Sequence, residues 1–538
     1  MDKLLIQPLP YFQPERLVGI TGVYPRAGYA LFREQSQTMD VAQVSPGLEF
    51  NLTGNGDAVR LFGAPASPNL FSVLGVSVQR GRTFEPGEDK PGRDGEVILS
   101  DSLWKTKFGS DPQIIGRVVT LDSVDRTIIG VMPAGFAYPS SKVEFWIPAR
   151  LDPSVLNSYW GGEYRSMVGR LRPEATLAQA RSEVPNLAGR MREMFPFPMP
   201  HNFDSDATAI PLQDSMVGGV RSKLFLLLAS VVIVLLIACA NVASLLLSRA
   251  TSRRKEMALR AALGAGRLRI LRQLLTESVL LSAIGGGIGI LLGMAALSVF
   301  KAVLPREMPG VTGASIDLRV LGAVTGLAVL TGLIFGIAPA LSASRFDLAD
   351  SLKTGSQRSA NKMARLRTCF IGAELALTVV LVIAAGLLVK TLYVLSHVNR
   401  GFQGENILTI RISPNQSMCN NPAPCIARYT DLVRRAKEIT GVADAAIANT
   451  VPLDGRFGIA ELPVDVEGHP KTPDFPSPMF LAAAISPDYL SIMQVPLLEG
   501  RKLDEADGES SAKVILIDAS TAKRFWPEGS AIGKHIKD

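Results

Sequence analysis

Histidine and cysteine, on which most metal and nucleophilic chemistry depends, are both scarce, with four of each in 538 residues. His201, His397, His469 and His535 are scattered, and no HExxH, GxSxG or paired CxxC motif occurs. A zinc hydrolase, a nucleophile elbow and a zinc ribbon are thereby excluded. A GxxxxGK[ST] phosphate loop is missing too: the nearest approach, GSAIGKH at 529–535, has the wrong spacing and no hydroxyl after its lysine. No catalytic residue, metal or cofactor is expected, and the chain reads as a non-enzyme that binds and moves. A membrane span before residue 215 is also lacking, because Pro8 and Pro10 end the first apolar patch long before a bilayer is crossed. The chain is therefore expected to begin in a globular region.

What the sequence has in excess is apolar surface. Hydrophobic residues make up 47% of it and the mean hydropathy is +0.22, high for a soluble chain of this length. The excess sits in four runs, about 224–247, 278–300, 320–343 and 369–396. The first of these contains about 24 residues without a charge, and at ~1.5 Å per residue it can cross a hydrocarbon core of ~30 Å. Around the runs the expected fold is an integral membrane protein of four α-helical spans with two extracytoplasmic α+β domains.

Charge sets the orientation. The net charge of +7 and the isoelectric point near 9.2 would ordinarily suggest a nucleic-acid partner. Residues 249–272, however, carry eight cations against the lone carboxylate of Glu256, and residues 345–367 carry six cations against Asp347 and Asp350. Those two loops are net +7 and +4, so the rest of the chain is net acidic by four. The basicity marks loops on the cytoplasmic side of a membrane, and no nucleic-acid face is expected. Residues 1–220, 301–319 and everything from 397 onward then lie outside.

An internal repeat tests this arrangement independently. SPNLFSVLGVSVQRGR, residues 67–82, matches SPDYLSIMQVPLLEGR, residues 486–501, at an offset of 419; residues 97–119 match residues 514–536 at an offset of 417. Copies of one domain belong on one side of the membrane, and an even number of spans between them returns the chain to that side. The first copy mixes strand-like runs (RLVGITGV, EVILS, GRVVTL, RTIIGVM) with helical segments at Tyr29–Gln37, Ser102–Phe108 and Thr176–Met194, and a hairpin turn at Asp122–Asp125. The expected domains are 1–220, the first core; 221–345, three spans and a basic elbow; 346–368, a basic linker; 369–396, the fourth span; and 397–538, an incomplete second core.

Three features invite a functional reading. In RRKEMALRAALGAGRLRILRQLL, Glu256 and Arg260 pair at i, i+4, and Gly264, Ala265 and Gly266 let the helix break. The elbow is either a basic-apolar docking knob or a loop held by lipid headgroups, and charge alone does not choose. Gly285, Gly289 and Gly293 stack on one face of the second span, either a sliding seam or a static packing face. Cys419 and Cys425 flank a short Pro-rich stretch, CNNPAPC, and form a disulfide if that region is extracytoplasmic or two reduced surface thiols otherwise. Glu277 and Glu374 lie near cytoplasmic span ends, where interface pairing is expected over an ion pathway.

The motifs LIACANVASLLLSRATSRRKEMALRAALGAGRLRILRQLLTES and LTGLIFGIAPALSASRFDLADSLKTG resemble the FtsX-like permease domain of MacB-type ABC transporters. Residues 1–200 and 400–538 resemble the MacB-like periplasmic core domain, and the order of the parts is similar to the duplicated orphan permeases of acidobacteria. The resemblance implies an inner-membrane ABC permease subunit that relays ATP-driven motion to periplasmic domains for export or extraction of a lipid, lipoprotein, peptide or drug. A regulator that controls a periplasmic partner without carrying cargo is the alternative. It further implies that Arg254, Lys255, Glu256, Arg260, Leu263, Gly264, Arg267 and Arg269 form a coupling elbow on a separate cytoplasmic ABC ATPase. The other partners it implies are the lipid bilayer, a periplasmic protein, and a homodimer or pseudo-dimer. Against that family's full order the chain is expected to be a fragment, without the first span and the second FtsX-like unit.

Overall fold

A computed structural model describes residues 9–54, 58–161, 165–196, 206–252, 267–303, 318, 320–326, 329–330, 356–412, 422–452, 460–469, 478–508 and 511–537. The chain divides into two units, residues 1–219 with 399–538, and residues 220–398. The first core runs β1 (Leu17–Tyr24), α1 (Arg26–Gln35), β2 (Met39–Val44), β3 (Leu48–Thr53), β4 (Val59–Ala66), α2 (Leu70–Leu74), β5 (Arg80–Gly81) and β6 (Glu96–Leu99). It continues through α3 (Asp101–Phe108), β7 (Val118–Leu121), β8 (Val124–Val131), β9 (Phe145–Pro148), α4 (Leu156–Tyr159), β10 (Arg165–Leu171), α5 (Leu177–Met194) and β11 (Ala209–Pro211).

Burial of β1 on both faces sets the first half of this core. Leu17 packs into one cluster with α2, while Val18 and Ile20 pack into another with α1 and α5. A strand apolar on both sides needs a cover on each. It lies between β11 and β10, both antiparallel, and β10 hands on to β2.

The second half closes on itself. The first part of β4 pairs with β3 and its last part with β9, in parallel, from Gly63↔Phe145 to Ala66↔Pro148. With β7, β8 and β6 the order β4-β3-β7-β8-β6-β9 returns to β4, which removes the unpaired edges that invite association. Gly63 makes the closure possible: a Cβ there would stand 2.2 Å from the Phe145 ring. The interior is filled by Leu61, Val97, Leu99, Ile128 and Phe145, with Leu103, Trp104 and Phe108 arriving from α3.

Local signals place most of these elements where the sequence expects them. Thr176 caps α5 in a reciprocal box with Gln179, Thr176 Oγ1 accepting from the Gln179 N–H and Gln179 Oε1 from the Thr176 N–H. The β7–β8 hairpin turns on Asp122 and Ser123, both at positive φ (49° and 62°), the conformation of a two-residue primed turn. Both ends of α1 differ: it covers Arg26–Gln35, against the expected Tyr29–Gln37. It stops early because Ser36, Gln37 and Thr38 all donate to the Glu183 carboxylate on α5 instead of continuing the helix.

The repeat is a repeat of hydrogen bonds as well as letters. Ser67 donates its N–H to Gln43 O at 2.8 Å while its Oγ accepts from Gln43 N–H at 2.9 Å; Ser486 exchanges the same two bonds with Ile447 at 2.9 and 3.0 Å. Gly75 at φ 66° ends α2, and Gln494 at φ 51° stands at the matching position. Arg82 grips Glu88 through both terminal nitrogens, and Arg501 grips Asp507 in the same way. The strand pairs Leu48↔Gly63 and Thr53↔Thr120 recur as Ala460↔Ala482 and Asp465↔Lys537. The second copy differs where β8 and β9 flank β6 in the first. Val97, Ile98 and Leu99 are at most 2% exposed, whereas their counterparts Val514, Ile515 and Leu516 are 43%, 61% and 37% exposed.

The Arg501 clasp yields a pH prediction. Its guanidinium, followed by the Asp504 N–H, holds the Asp507 carboxyl down at about 2, below the ordinary 3.8. A depressed carboxyl contributes stability that is complete above its unfolded pKa and is lost as pH falls through the folded one. Amide protection in 501–508, corrected for intrinsic exchange, should hold constant from neutrality to about pH 4 and disappear toward pH 2. Asp507→Asn should abolish the pH dependence, and protection already falling near pH 6 would contradict this origin.

Candidate functional site

Three long apolar helices make up the described part of the second unit together with its approaches. They are α6 (Leu212–Ser252), α7 (Arg267–Val303) and α8 (Ser356–Ser396). Each holds a stretch fit to cross a bilayer: Phe225–Val242 at a mean hydropathy of 2.8, Ser282–Val299 at 1.8 and Ile371–Ser396 at 2.4. At most 11% of any of these stretches is buried, so their side chains face outward as lipid-exposed chains do. Of the expected third span, only 320–326 and 329–330 are described, so three of the four expected spans are seen as long helices.

The root of α6 is the feature that positions everything else. Pro211 ends β11 and Leu212 begins the helix with no connecting loop. Leu212 is 2% exposed and sits in the first core cluster. On β1, Gly19 lies so close that a Cβ there would stand 2.7 Å from both Cβ and Oγ of Ser215. The helix is thus seated on β1, a strand paired on both sides, by its first turn. Its 41 residues span about 62 Å, roughly twice a hydrocarbon core. Sequence reasoning placed a span here but missed the splice; the signal available was Pro211 directly before an uninterrupted helical pattern.

At the far end of α6 the elbow begins. Arg254, Lys255, Glu256, Arg260, Leu263 and Gly264 fall in 253–266, outside the described residues. Arg267 lies on α7, and Arg269 and Arg272 on the same helix are exposed. The stripe of Gly285, Gly289 and Gly293 lies on α7 with no atom within 4 Å of where each Cβ would stand. Among the described residues the seam meets no partner helix.

The cysteines separate into two kinds. Cys239 is buried, Cys369 is exposed, and neither is in a disulfide. Cys425 is disulfide-bonded; Cys419 lies outside the described residues. Cys425 lies on a helix, α9 (Pro422–Lys437), where the sequence suggests a loop.

Comparison with known proteins follows the same division. Residues 5–187 and 375–537 match the MacB-like periplasmic core domain family, and residues 228–348 match the FtsX-like permease C-terminal family. The macrolide export ATP-binding/permease protein MacB of Escherichia coli K12 is 26% identical over 317 residues, covering 58% of this chain and 46% of that protein. The protein of the same name from Shigella flexneri matches over the same shares. The chain thus spans about half the length of the curated relatives it matches. Among solved structures, the periplasmic region of MacB from Actinobacillus actinomycetemcomitans is 14% identical, with a TM-score of 0.30 over 41% of this chain and 98% of that one. The extracellular domain of the ABC-type transporter YknZ from Gram-positive bacteria is 13% identical, with a TM-score of 0.27 over 33% and 94%.

The root of α6 is open to test. Gly19→Ala forces a methyl against the first turn and should destabilise the first core by ~1–3 kcal/mol, as overpacking does. Ser215→Gly in the same chain should restore most of the loss. Thermal unfolding of the full chain in lipid nanodiscs reads both, and an unchanged transition for Gly19→Ala alone would show that the helix is not seated on β1.

Proposed function

Because the chain belongs to the MacB-like periplasmic core domain family, with an FtsX-like permease region between its two core-domain matches, we propose that it is the permease subunit of an ABC-type transport system. The cargo class is a lipid, lipoprotein, peptide or drug handled outside the membrane. One observation carries this reading: α6 runs unbroken from its seat on β1 through the apolar stretch toward the basic elbow. A continuous helix transmits rotation and axial displacement that a loop would absorb.

The motive force comes from an ATPase outside these 538 residues, since the sequence contains no phosphate loop. It docks on the elbow, through Arg254, Lys255, Glu256, Arg260, Leu263, Gly264, Arg267 and Arg269. The eight cations of 249–272 against one carboxylate support docking of an anionic surface there. Both core domains lie on the periplasmic side of a bacterial cytoplasmic membrane. The disulfide at Cys425 supports an oxidising compartment for the second core and pairing with Cys419, since neither Cys239 nor Cys369 is in a disulfide. The glycine stripe of α7, open on its own face, is where a second permease half packs, either another copy or a related chain.

Two experiments bear on this. Leu263→Asp combined with Arg267→Glu should abolish co-purification of an ABC ATPase while leaving the chain in the membrane; undiminished recovery would remove the elbow from the coupling path. For orientation, Ser72→Cys and Ser491→Cys, equivalent and exposed in the two copies, should both react with an impermeant maleimide from the periplasm. Arg272→Cys should react only from the cytoplasm. Labelling of the two serine positions from opposite sides would overturn the topology.

A further inference from the structure

The stretch after α8 touches both core domains. It contains FQGE at 402–405, the counterpart of FQPE at 12–15 in the first copy at an offset of 390. Gln403 donates its N–H to Met493 O at 3.0 Å, which ties the start of the stretch to the second copy. Eight residues on, Arg411 Nη1 lies 3.0 Å from Glu49 Oε1 on β3 of the first copy. Arg60 on β4 donates Nη2 to Arg411 O at 2.9 Å and lies 3.6 Å from the same carboxylate through Nε. Glu49 is 18% exposed in this contact. Neighbouring Leu408 and Ile410 are 84% and 75% exposed, so apolar burial is not what places the segment. The polar contacts of Arg411 do so.

The contact runs in one direction only. At the offset of 390, Arg411 corresponds to Thr21, which donates its hydroxyl to Asp206 O within its own domain. The register of the β12 (Ala460–Pro463) and β13 (Met479–Ala482) pair places Glu461 where the first copy has Glu49, but Met479 where it has Arg60. A symmetric pairing of two copies would need the same residues on both sides. We infer that residues 403–411 are a strap by which the second core domain docks heterologously onto the β3–β4 pair of the first. The fourth span, α8, ends at Ser396 and leads into this strap after a few residues. A displacement of α8 is then delivered to both core domains at once. That consequence rests on the relay proposed above, whereas the docking itself does not.

Coupling chemistry reads the docking without any transport assay. In the full chain in membranes, Arg411→Lys keeps the charge and supplies an amine for a zero-length carbodiimide. The expected product, in the monomer band, is a peptide joining position 411 to Glu49, and it should vanish when Glu49→Gln is added. The native pairs Lys437 with Asp488 at 2.7 Å and Lys105 with Asp101 at 2.8 Å should couple in every variant and certify the reaction. Coupling of position 411 to Glu461, coupling only within a dimer band, or none at 411 while the native pairs react would each overturn the strap. A transport defect with the 49–411 product intact would count against the relay and leave the docking standing.

Discussion

The close approach of Gly19 to Ser215 is the contact on which the rest of the arrangement depends. A helix that must hold its own backbone hydrogen bonds through a bilayer is stiff by necessity. Stiffness serves a mechanical purpose only if one end is fixed, and here the first turn is fixed by burial of Leu212 and by the lack of a side chain at residue 19. The strand it rests on is buried on both faces and paired on both sides, to β10 and β11. Movement of the helix root is therefore felt by the strands hydrogen-bonded to it.

The two core copies show how one hydrogen-bonding scaffold tolerates different roles. The serine exchange with the neighbouring strand, the left-handed residue after the short helix and the Arg–carboxylate grip recur at constant offsets. These interactions bind backbone to backbone or close a local loop, so they survive change at the surface. What differs is the periphery: Thr21 faces its own domain while Arg411 faces the other, and Arg60 has no basic counterpart. The first copy is joined to the membrane by a helix growing out of its sheet, and the second by a strap that holds both.

Charge works at two ranges in this chain. The basic segments at 249–272 and 345–367 carry the sequence's expectation of which side each loop takes, through the positive-inside rule. The Glu49 contacts act over a few ångströms and depend on partial burial, where screening by water is weaker than at the open surface. The first kind is a sum over many residues and survives any single substitution. The second kind rests on named atoms, and one altered residue removes it.

Much of the architecture was legible in the residues because the signals are local sums. Apolar length gives spans, lysine and arginine excess gives sides, the repeat gives two related domains, and Thr176 with Gln179 announces a helix start. The closing of β4 onto β9, the seat of α6 and the Arg411 strap were not legible. Each joins residues far apart in the chain through a single close approach, and no window of sequence contains both partners. Even Gly63 and Gly19, on which two of these contacts turn, look like ordinary strand glycines until Phe145 and Ser215 are seen against them. Membrane class and duplication were determined by the sequence alone, since they follow from composition and period. Which strand carries the helix, and which copy grips the other, only the tertiary structure decided, because steric fit and ion-pair geometry exist only once the chain has folded.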